Sequence, residues 1–278
     1  MDDYIISRIQ DIFNSVTSAG ANGGNLTLTP QTFNGAIYSG VNSIMQNACM
    51  PIAYVILGLF FVLELYNITI RTEGQHGTMG VEIPFRVMFK LVLCKTVIDS
   101  TQLILNAIYA ISQQLIINIG STISGSNTLS TANIDAIRTT VASMDFGVKL
   151  MTSVEVTLIY LIVQFVMIII TVIVVGRMIE LYVYMAVSPV PLATFPNAEM
   201  SGIAKNFLKG FAAVCLQGVL IYIVVAIFPL LFGSAAMGNT NDPANFSASM
   251  MNAAGYSFVL LISVFATGKW AKMICNAM

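Results

Sequence analysis

The sequence has very little charge. Only 9% of its 278 residues are Asp, Glu, Lys or Arg, whereas about a quarter of the residues are charged in an ordinary soluble domain. It has a single histidine, His76, and four widely separated cysteines, which leaves almost no ligands for a metal site. The net charge of −1 provides no basic field to hold a phosphate backbone. We therefore expect neither a metal enzyme nor a stable nucleic-acid binder.

The short motifs of common enzymes are also missing. The sequence contains no Gly-rich phosphate loop ending in Lys-Ser or Lys-Thr, no His-Glu-x-x-His and no serine elbow. We predict no catalytic residue and no cofactor. Because it has no phosphate-binding loop, this chain is not expected to be an ATPase.

Hydrophobic residues are abundant instead. They make up 56% of the chain and occur in blocks of about 20 or more, the length that an α-helix needs to cross a bilayer. We predict an all-α, polytopic transmembrane helix bundle in a bacterial cytoplasmic membrane. The predicted domains are an extracytoplasmic amphipathic helix and loop at 1–44 and a transmembrane domain at 45–278. Five spans are predicted, at 45–70, 99–119, 156–176, 207–232 and 253–271.

Three segments outside these spans are also assigned. Residues 3–17 have apolar residues at helical spacing and should lie on the membrane or on a partner. Residues 83–98, which carry cations, are expected to form an interfacial or cytoplasmic lead-in to the second span. Residues 178–195 contain Pro189 and Pro191, which break helices, so we expect a helical extension followed by an interfacial or re-entrant segment.

The distribution of cations predicts the orientation. Positively charged residues accumulate on the cytoplasmic side, and with five spans nine of the 12 cations share one side. The N-terminus is then outside and the C-terminus cytoplasmic. The nine are Arg71, Arg86, Lys90, Lys95, Arg177, Lys205, Lys209, Lys269 and Lys272, and the other three are Arg8, Arg138 and Lys149.

Two helices carry polar residues along a single face. In lipid such a face turns toward protein or water. It either bonds helices or subunits together or lines a hydrated path, and both interpretations stay open. The first polar stripe consists of Lys95, Asp99, Gln102, Asn106 and Gln113, and the second polar stripe consists of Thr157, Gln164 and Thr171.

The end of the third span offers candidates for a cytoplasmic surface. Arg177 and Glu180 are three residues apart, close enough for an ion pair on a helix, and they precede the proline-containing segment. They anchor the helix at the interface or help a cytoplasmic partner to dock. The full set is Arg177, Glu180, Pro189, Pro191, Lys205 and Lys209.

The stretch 177–195 also has a recognisable sequence. It reads RMIELYVYMAVSPVPLATF and is followed by NFLKG at 206–210 and LQG at 216–218. The chain resembles the TrbL-like (VirB-type) polytopic inner-membrane channel components of conjugative type IV secretion systems, in the form found in Gram-positive mobile elements. The resemblance implies a non-enzymatic subunit, as a homo-oligomeric ring of five or six, that helps DNA-protein substrates across the membrane. It also implies other secretion membrane subunits and cytoplasmic traffic ATPases as partners, with the DNA-protein substrate contacted only transiently.

Two other functions remain compatible with the residues. A small-solute secondary transporter would account for polar faces, although such transporters usually have carboxylates deep in the membrane. A holin-like pore is the second alternative.

Overall fold

The computed structural model describes residues 2–22, 24–73, 82–123, 131–197, 199–236 and 243–277. Every regular element in these ranges is helical, which confirms the all-α prediction. The predicted linker around His76 lies outside the described residues. The helices are α1 (Asp2–Asn22), α2 (Pro30–Phe33), α3 (Gly35–Ile44), α4 (Met50–Glu73), α5 (Glu82–Asp99), α6 (Thr101–Ile123), α7 (Thr131–Ser143), α8 (Phe146–Val187), α9 (Pro189–Leu192), α10 (Ser201–Ala236) and α11 (Pro243–Ile274).

Five helical segments are long and apolar enough to cross a membrane, as predicted. Each extends past its predicted span at one or both ends, although the second begins at Thr101 and not at residue 99. An apolar run marks only the part of a helix that suits lipid, and the helix continues into polar residues. With 42 residues, α8 is about 63 Å long at 1.5 Å per residue. The segments are Gly35–Ile70, Thr101–Thr122, Phe146–Val187, Ser201–Phe232 and Asn245–Ile274.

The first span begins at Gly35, earlier than predicted, and Pro51 does not interrupt its helix. A π-helical turn at Met45–Cys49 joins α3 to α4, and its last bond runs from the Met50 N–H to the Met45 carbonyl, five residues back. Proline lacks an N–H and its ring collides with the carbonyl four residues earlier. The wider turn just before Pro51 accommodates that defect, so the helix continues.

Two breaks in the helices lie where the sequence indicated them. The predicted division after Asp99 is a turn at Ser100 between α5 and α6. The third span continues past Arg177 to Val187, and a turn at Ser188 then leads into the single-turn helix α9. Residues 178–195 therefore form a helical extension followed by a bent segment, and they contain no separate candidate span. An interfacial or re-entrant position for the bent segment stays a prediction.

The chain divides into two compact units. Unit 1 contains Met1–Thr27, Gln113–Gly176 and Gln217–Lys269, and unit 2 contains Leu28–Ser112, Arg177–Leu216 and Trp270–Met278. In unit 2 the main apolar cluster joins residues of α3, α6, α8 and α10, including Val41, Leu105, Leu181 and Phe211. A second cluster joins α4, α5 and the turn after α9 through Ala53, Leu57, Ile98 and Ala193, together with Cys94.

In unit 1 the amphipathic helix α1 packs within its own chain. Its apolar face is buried through Ile5, Ile9, Ile12 and Phe13, and it contacts α7. The ring of Phe13 meets that of Phe232 edge-on, with 5.2 Å between centroids. The amphipathic pattern predicted the helix correctly, but the expectation that this face would cover a membrane or a partner was wrong, because the chain supplies its own apolar surface.

The lead-in at 83–98 forms a helix of its own, and its interfacial or cytoplasmic position stays a prediction. These residues form α5, which packs against α4. The Lys90 ammonium lies 3.0 Å from the Glu64 carboxylate, and the Tyr54 hydroxyl donates to the Asp99 carboxylate. Helix α5 therefore packs as a pair with α4, the helix that contains most of the first span.

Candidate functional site

The centre of the first polar stripe is bonded to one tyrosine hydroxyl. Tyr38 on α3 accepts hydrogen bonds from the Gln102 amide at 2.7 Å and from the Asn106 amide at 3.3 Å, both on α6. The Gln31 amide donates to the same oxygen at 3.0 Å and to the Asn106 oxygen at 3.4 Å. A hydroxyl oxygen has two lone pairs, so the bond from Asn106 is the weakest of the three. Within unit 2 these amides are therefore satisfied by the chain itself.

Two further tyrosines hold the segment that runs from Leu28 through α2 into the first turn of α3. We call this segment, residues 28–38, the strap. The Tyr109 hydroxyl of α6 donates to the Leu28 carbonyl and the Tyr182 hydroxyl of α8 donates to the Pro30 carbonyl, both at 2.6 Å. Leu28 precedes the single-turn helix α2 and Pro30 begins it; a backbone carbonyl needs a donor when water is excluded, and both tyrosines are buried. The strap is thus fastened to α6 and α8 through its backbone.

The other members of the first stripe have separate environments. In unit 1 the Gln113 amide donates to the Thr27 carbonyl at 2.6 Å. Asp99 is bonded to Tyr54, as described above, and Lys95 is exposed. The structure therefore brings Gln102 and Asn106 together, and it does not bring Lys95 into that group.

The second polar stripe contacts α1 within unit 1. The Thr157 hydroxyl lies 3.1 Å from the Tyr4 hydroxyl, and the Gln164 amide donates to the Ser15 hydroxyl at 2.9 Å. Thr171 is exposed and donates to the Met167 carbonyl of its own helix. Two of the three predicted stripe residues therefore bind the N-terminal helix.

Charged groups strengthen this contact between α1 and α8. The Arg8 guanidinium lies 5.0 Å from the ring centroid of Tyr160 and 5.3 Å from that of Tyr4, distances at which a cation is attracted to an aromatic face. The hydrogen bond to Thr157, and then that to Arg8, lower the pKa of Tyr4. The Lys149 ammonium lies 3.0 Å from the Asp2 carboxylate. Helix α1 is thus bound to α8 by polar contacts as well as by its apolar face.

Glu155, which no sequence pattern singled out, joins α8 to α11. The Ser247 hydroxyl lies 2.9 Å and 2.7 Å from the two carboxylate oxygens of Glu155, which is partly buried in unit 1. Glu155 directly precedes the predicted third span, so the hydropathy pattern gave no reason to pair it with another span.

Arg177 is deeply buried in unit 2, with only 2% of its surface exposed. In place of the predicted contact with Glu180, the guanidinium interacts with the side chains of Tyr109 and Cys215, and one of its terminal nitrogens lies 3.6 Å from the sulfur of Met178. Its Nε has no hydrogen-bond partner, and no carboxylate among the described residues pairs with it. Among the described residues, the charge is held in the interior of unit 2 without a paired carboxylate.

The other candidates for the cytoplasmic face differ in accessibility. Lys205 and Lys209 are exposed one turn apart on α10, Glu180 and Pro191 are partly buried, and Pro189 is buried. The side chain of Asn197, which follows α9, accepts bonds from the backbone N–H groups of Glu199 and Met200 at 2.9 and 3.1 Å. The helix α10, which carries the two lysines, begins just after this cap. A docking role for these residues stays a prediction.

The tyrosines were missed because the stripe was defined by amides and charges alone. Tyr109 lies three residues after Asn106 and four before Gln113, so it continues the first polar stripe at helical spacing. Counting buried tyrosines, whose hydroxyls need partners, would have included it. In the part of the chain that the structure describes, no group of three or more His, Cys, Asp or Glu side chains is placed to hold a metal.

These features define a multi-pass membrane helix bundle in which polar faces on two spanning helices are bonded by N-terminal residues. A family model described as TrbL/VirB6 plasmid conjugal transfer like protein matches residues 15–189, well over half of the chain. The chain belongs to this family and is a multi-pass protein of the cytoplasmic membrane. No curated protein and no solved structure matches it. The match confirms the family resemblance, whereas the Gram-positive form stays a prediction.

Proposed function

We propose that this chain is a non-enzymatic channel or scaffold subunit of a conjugative type IV secretion apparatus, helping a DNA-protein substrate to cross the cytoplasmic membrane. The observation that carries the proposal is the family match over residues 15–189. That range contains both polar stripes, part of α1 and the whole strap. Cytoplasmic traffic ATPases would supply the energy, because the sequence has no nucleotide-binding motif of its own.

The geometry favours a particular role for the polar stripes. Gln102, Asn106 and Gln164 make hydrogen bonds within the subunit, and such bonds between helices stabilise membrane proteins by about 0.6 kcal/mol on average. Amides already bonded to the strap or to α1 are poorly placed to contact a passing substrate. We therefore propose that the stripes fasten the N-terminal residues to the bundle and that the substrate path lies between subunits of a homo-oligomer.

Gene deletion tests the function directly. A donor strain that lacks this gene should grow normally and should lose transfer of the conjugative element, and the full-length chain supplied from a plasmid should restore it. Unimpaired transfer from the deletion strain would contradict the proposal. Ion-dependent solute uptake by the purified protein in liposomes would favour the transporter instead, and collapse of the membrane potential on expression alone would favour the pore.

Two neighbouring residues provide a matched pair for the stripe. Gln102→Leu removes an amide that bonds Tyr38, whereas Leu103→Ala changes a side chain that is 72% exposed. We expect Gln102→Leu to lower the transfer frequency more than Leu103→Ala when each variant complements the deletion. The proposed homo-oligomer, a ring of five or six, is measured by native mass spectrometry of the detergent-solubilised protein.

A further inference from the structure

The helix α5 is not among the five candidate spans, yet it lies beside one of them. The bond from Tyr54 to Asp99 and the ion pair between Glu64 and Lys90 join the two helices at two levels. These contacts are ten residues apart on α4 and nine apart on α5. The two helices therefore run antiparallel and side by side over about 15 Å, along residues of α4 that belong to the span Gly35–Ile70.

The face of α5 that meets α4 is suited to a low-dielectric environment. Cys94 and Ile98 are buried against Ala53 and Leu57 of α4. On the same helix pair, the Glu64 side chain is only 16% exposed and its carboxylate is paired with the Lys90 ammonium at 3.0 Å. Opposite charges that pair with one another are the form in which ionisable groups are found inside membranes.

Over residues 85–93 the opposite face of α5 is apolar and exposed. Five large hydrophobic side chains follow one another at spacings of three, one, three and one residues, which places them on a single helical face. Between 51% and 69% of the surface of each is exposed. The helix α4 also exposes Val55, Leu59 and Val62, and α4 belongs to a membrane span. The five residues of α5 are Phe85, Met88, Phe89, Val92 and Leu93.

We propose that α5 is embedded in the hydrocarbon of the bilayer beside α4, and that lipid acyl chains cover its Phe85–Leu93 face. The apolar surface of α5 is continuous with a helix that already lies in lipid, and a contiguous exposed apolar patch requires a membrane or protein to cover it. With 18 residues, α5 is about 27 Å long, which fits within the roughly 30 Å of the hydrocarbon core; it enters the bilayer beside α4 and adds no sixth span to the five. Lys95 is exposed four residues before the end of α5, where a lysine side chain extends to the interface.

Tryptophan fluorescence in proteoliposomes tests this assignment. The chain has one tryptophan, Trp270, so Trp270→Phe provides a background without tryptophan fluorescence. Phe89→Trp then reports on the outer face of α5. Leu161→Trp is a lipid control, because Leu161 is 62% exposed on the most apolar span. Ala142→Trp on α7 is an aqueous control, because Ala142 is exposed and lies outside every candidate span.

Each variant is measured with lipids brominated on their acyl chains and, separately, with aqueous iodide. We expect brominated lipid to quench the fluorescence of the Phe89→Trp variant by the same fraction as that of the Leu161→Trp variant. Iodide should quench the Phe89→Trp variant less than it quenches the Ala142→Trp variant.

Iodide quenching equal to that of the aqueous control, without quenching by brominated lipid, would overturn the proposal. Phe85→Trp provides a second reporter on the same face, should Phe89→Trp fail to reconstitute. The measurement requires no conjugation, so its outcome is independent of the proposed function.

Discussion

Removing the Tyr38 hydroxyl should loosen the strap by an amount that the structure predicts. In Tyr38→Phe the ring remains, while the amides of Gln102, Gln31 and Asn106 lose their common acceptor. Hydrogen bonds between helices in membrane proteins contribute about 0.6 kcal/mol on average and up to about 1.7 kcal/mol. Two short bonds and one long bond therefore give an expected loss of about 1–3 kcal/mol in the free energy of unfolding.

Equilibrium unfolding in mixed detergent micelles measures this loss. Tyr66→Phe is the matched control, because Tyr66 is 62% exposed on α4, and its hydroxyl should contribute little. A double-mutant cycle with Gln102→Leu isolates the shortest bond, since independent substitutions add to within about 0.5 kcal/mol. A loss in Tyr38→Phe no larger than that in Tyr66→Phe would contradict the assigned role of the hydroxyl, and so would an effect that adds to that of Gln102→Leu without coupling.

Further predictions concern charge and packing, and the same unfolding measurement checks them. Glu64→Gln alone should destabilise the protein, because it leaves the Lys90 ammonium unpaired. Adding Lys90→Met should recover part of the lost stability. A double variant that is less stable than Glu64→Gln alone would contradict the pairing. Arg177→Met should leave stability unchanged or raise it, because it removes the desolvation cost of a buried charge that no described carboxylate pairs; a loss of stability would show that the guanidinium holds the fold through its contacts with Tyr109 and Cys215. Gly268→Ala would place a Cβ 3.2 Å from the Gln217 amide nitrogen, and this crowding offsets the gain of about 1 kcal/mol that alanine brings over glycine inside a helix. The substitution should therefore be more favourable in a Gln217→Ala chain than in the original chain; an equal effect in both would mean that the contact with Gln217 is not responsible.

The fold could be predicted largely from the sequence because its signals are local. Blocks of apolar residues identified the five spans. The excessive length of the helical pattern over residues 83–119 indicated the break after Asp99, and Pro189 and Pro191 indicated a helical extension past Arg177 that ends in a bend. The predicted boundaries of the spans were less accurate, since hydropathy marks only the apolar part of a helix and the helix itself continues into polar residues. The first span is an example: it was predicted to begin at residue 45, whereas α3 and the π-helical turn at Met45–Cys49 extend it back to Gly35.

The candidate site was harder to predict because its contacts are distant in the chain. The spacing of Gln102 and Asn106 showed that they share a face, but nothing local indicated that Tyr38, 64 and 68 residues away, would bond them. Arg177 ends an apolar run, which in a sequence is typical of an exposed anchor. Its burial depends on α6 and α10, whose positions no local pattern encodes.

The contacts of α1 and the strap also constrain how the chain can be made and measured. Tyr4 meets Thr157 across 153 residues, so during synthesis the first helix leaves the ribosome long before its partner on α8 exists. A reporter fused at Gly120 to Ser130 would produce a chain in which α1 has nothing to bind, and α1 could then insert differently from its place in the finished protein. The predicted orientation, with the N-terminus outside, is therefore best read from tags inserted into full-length chains.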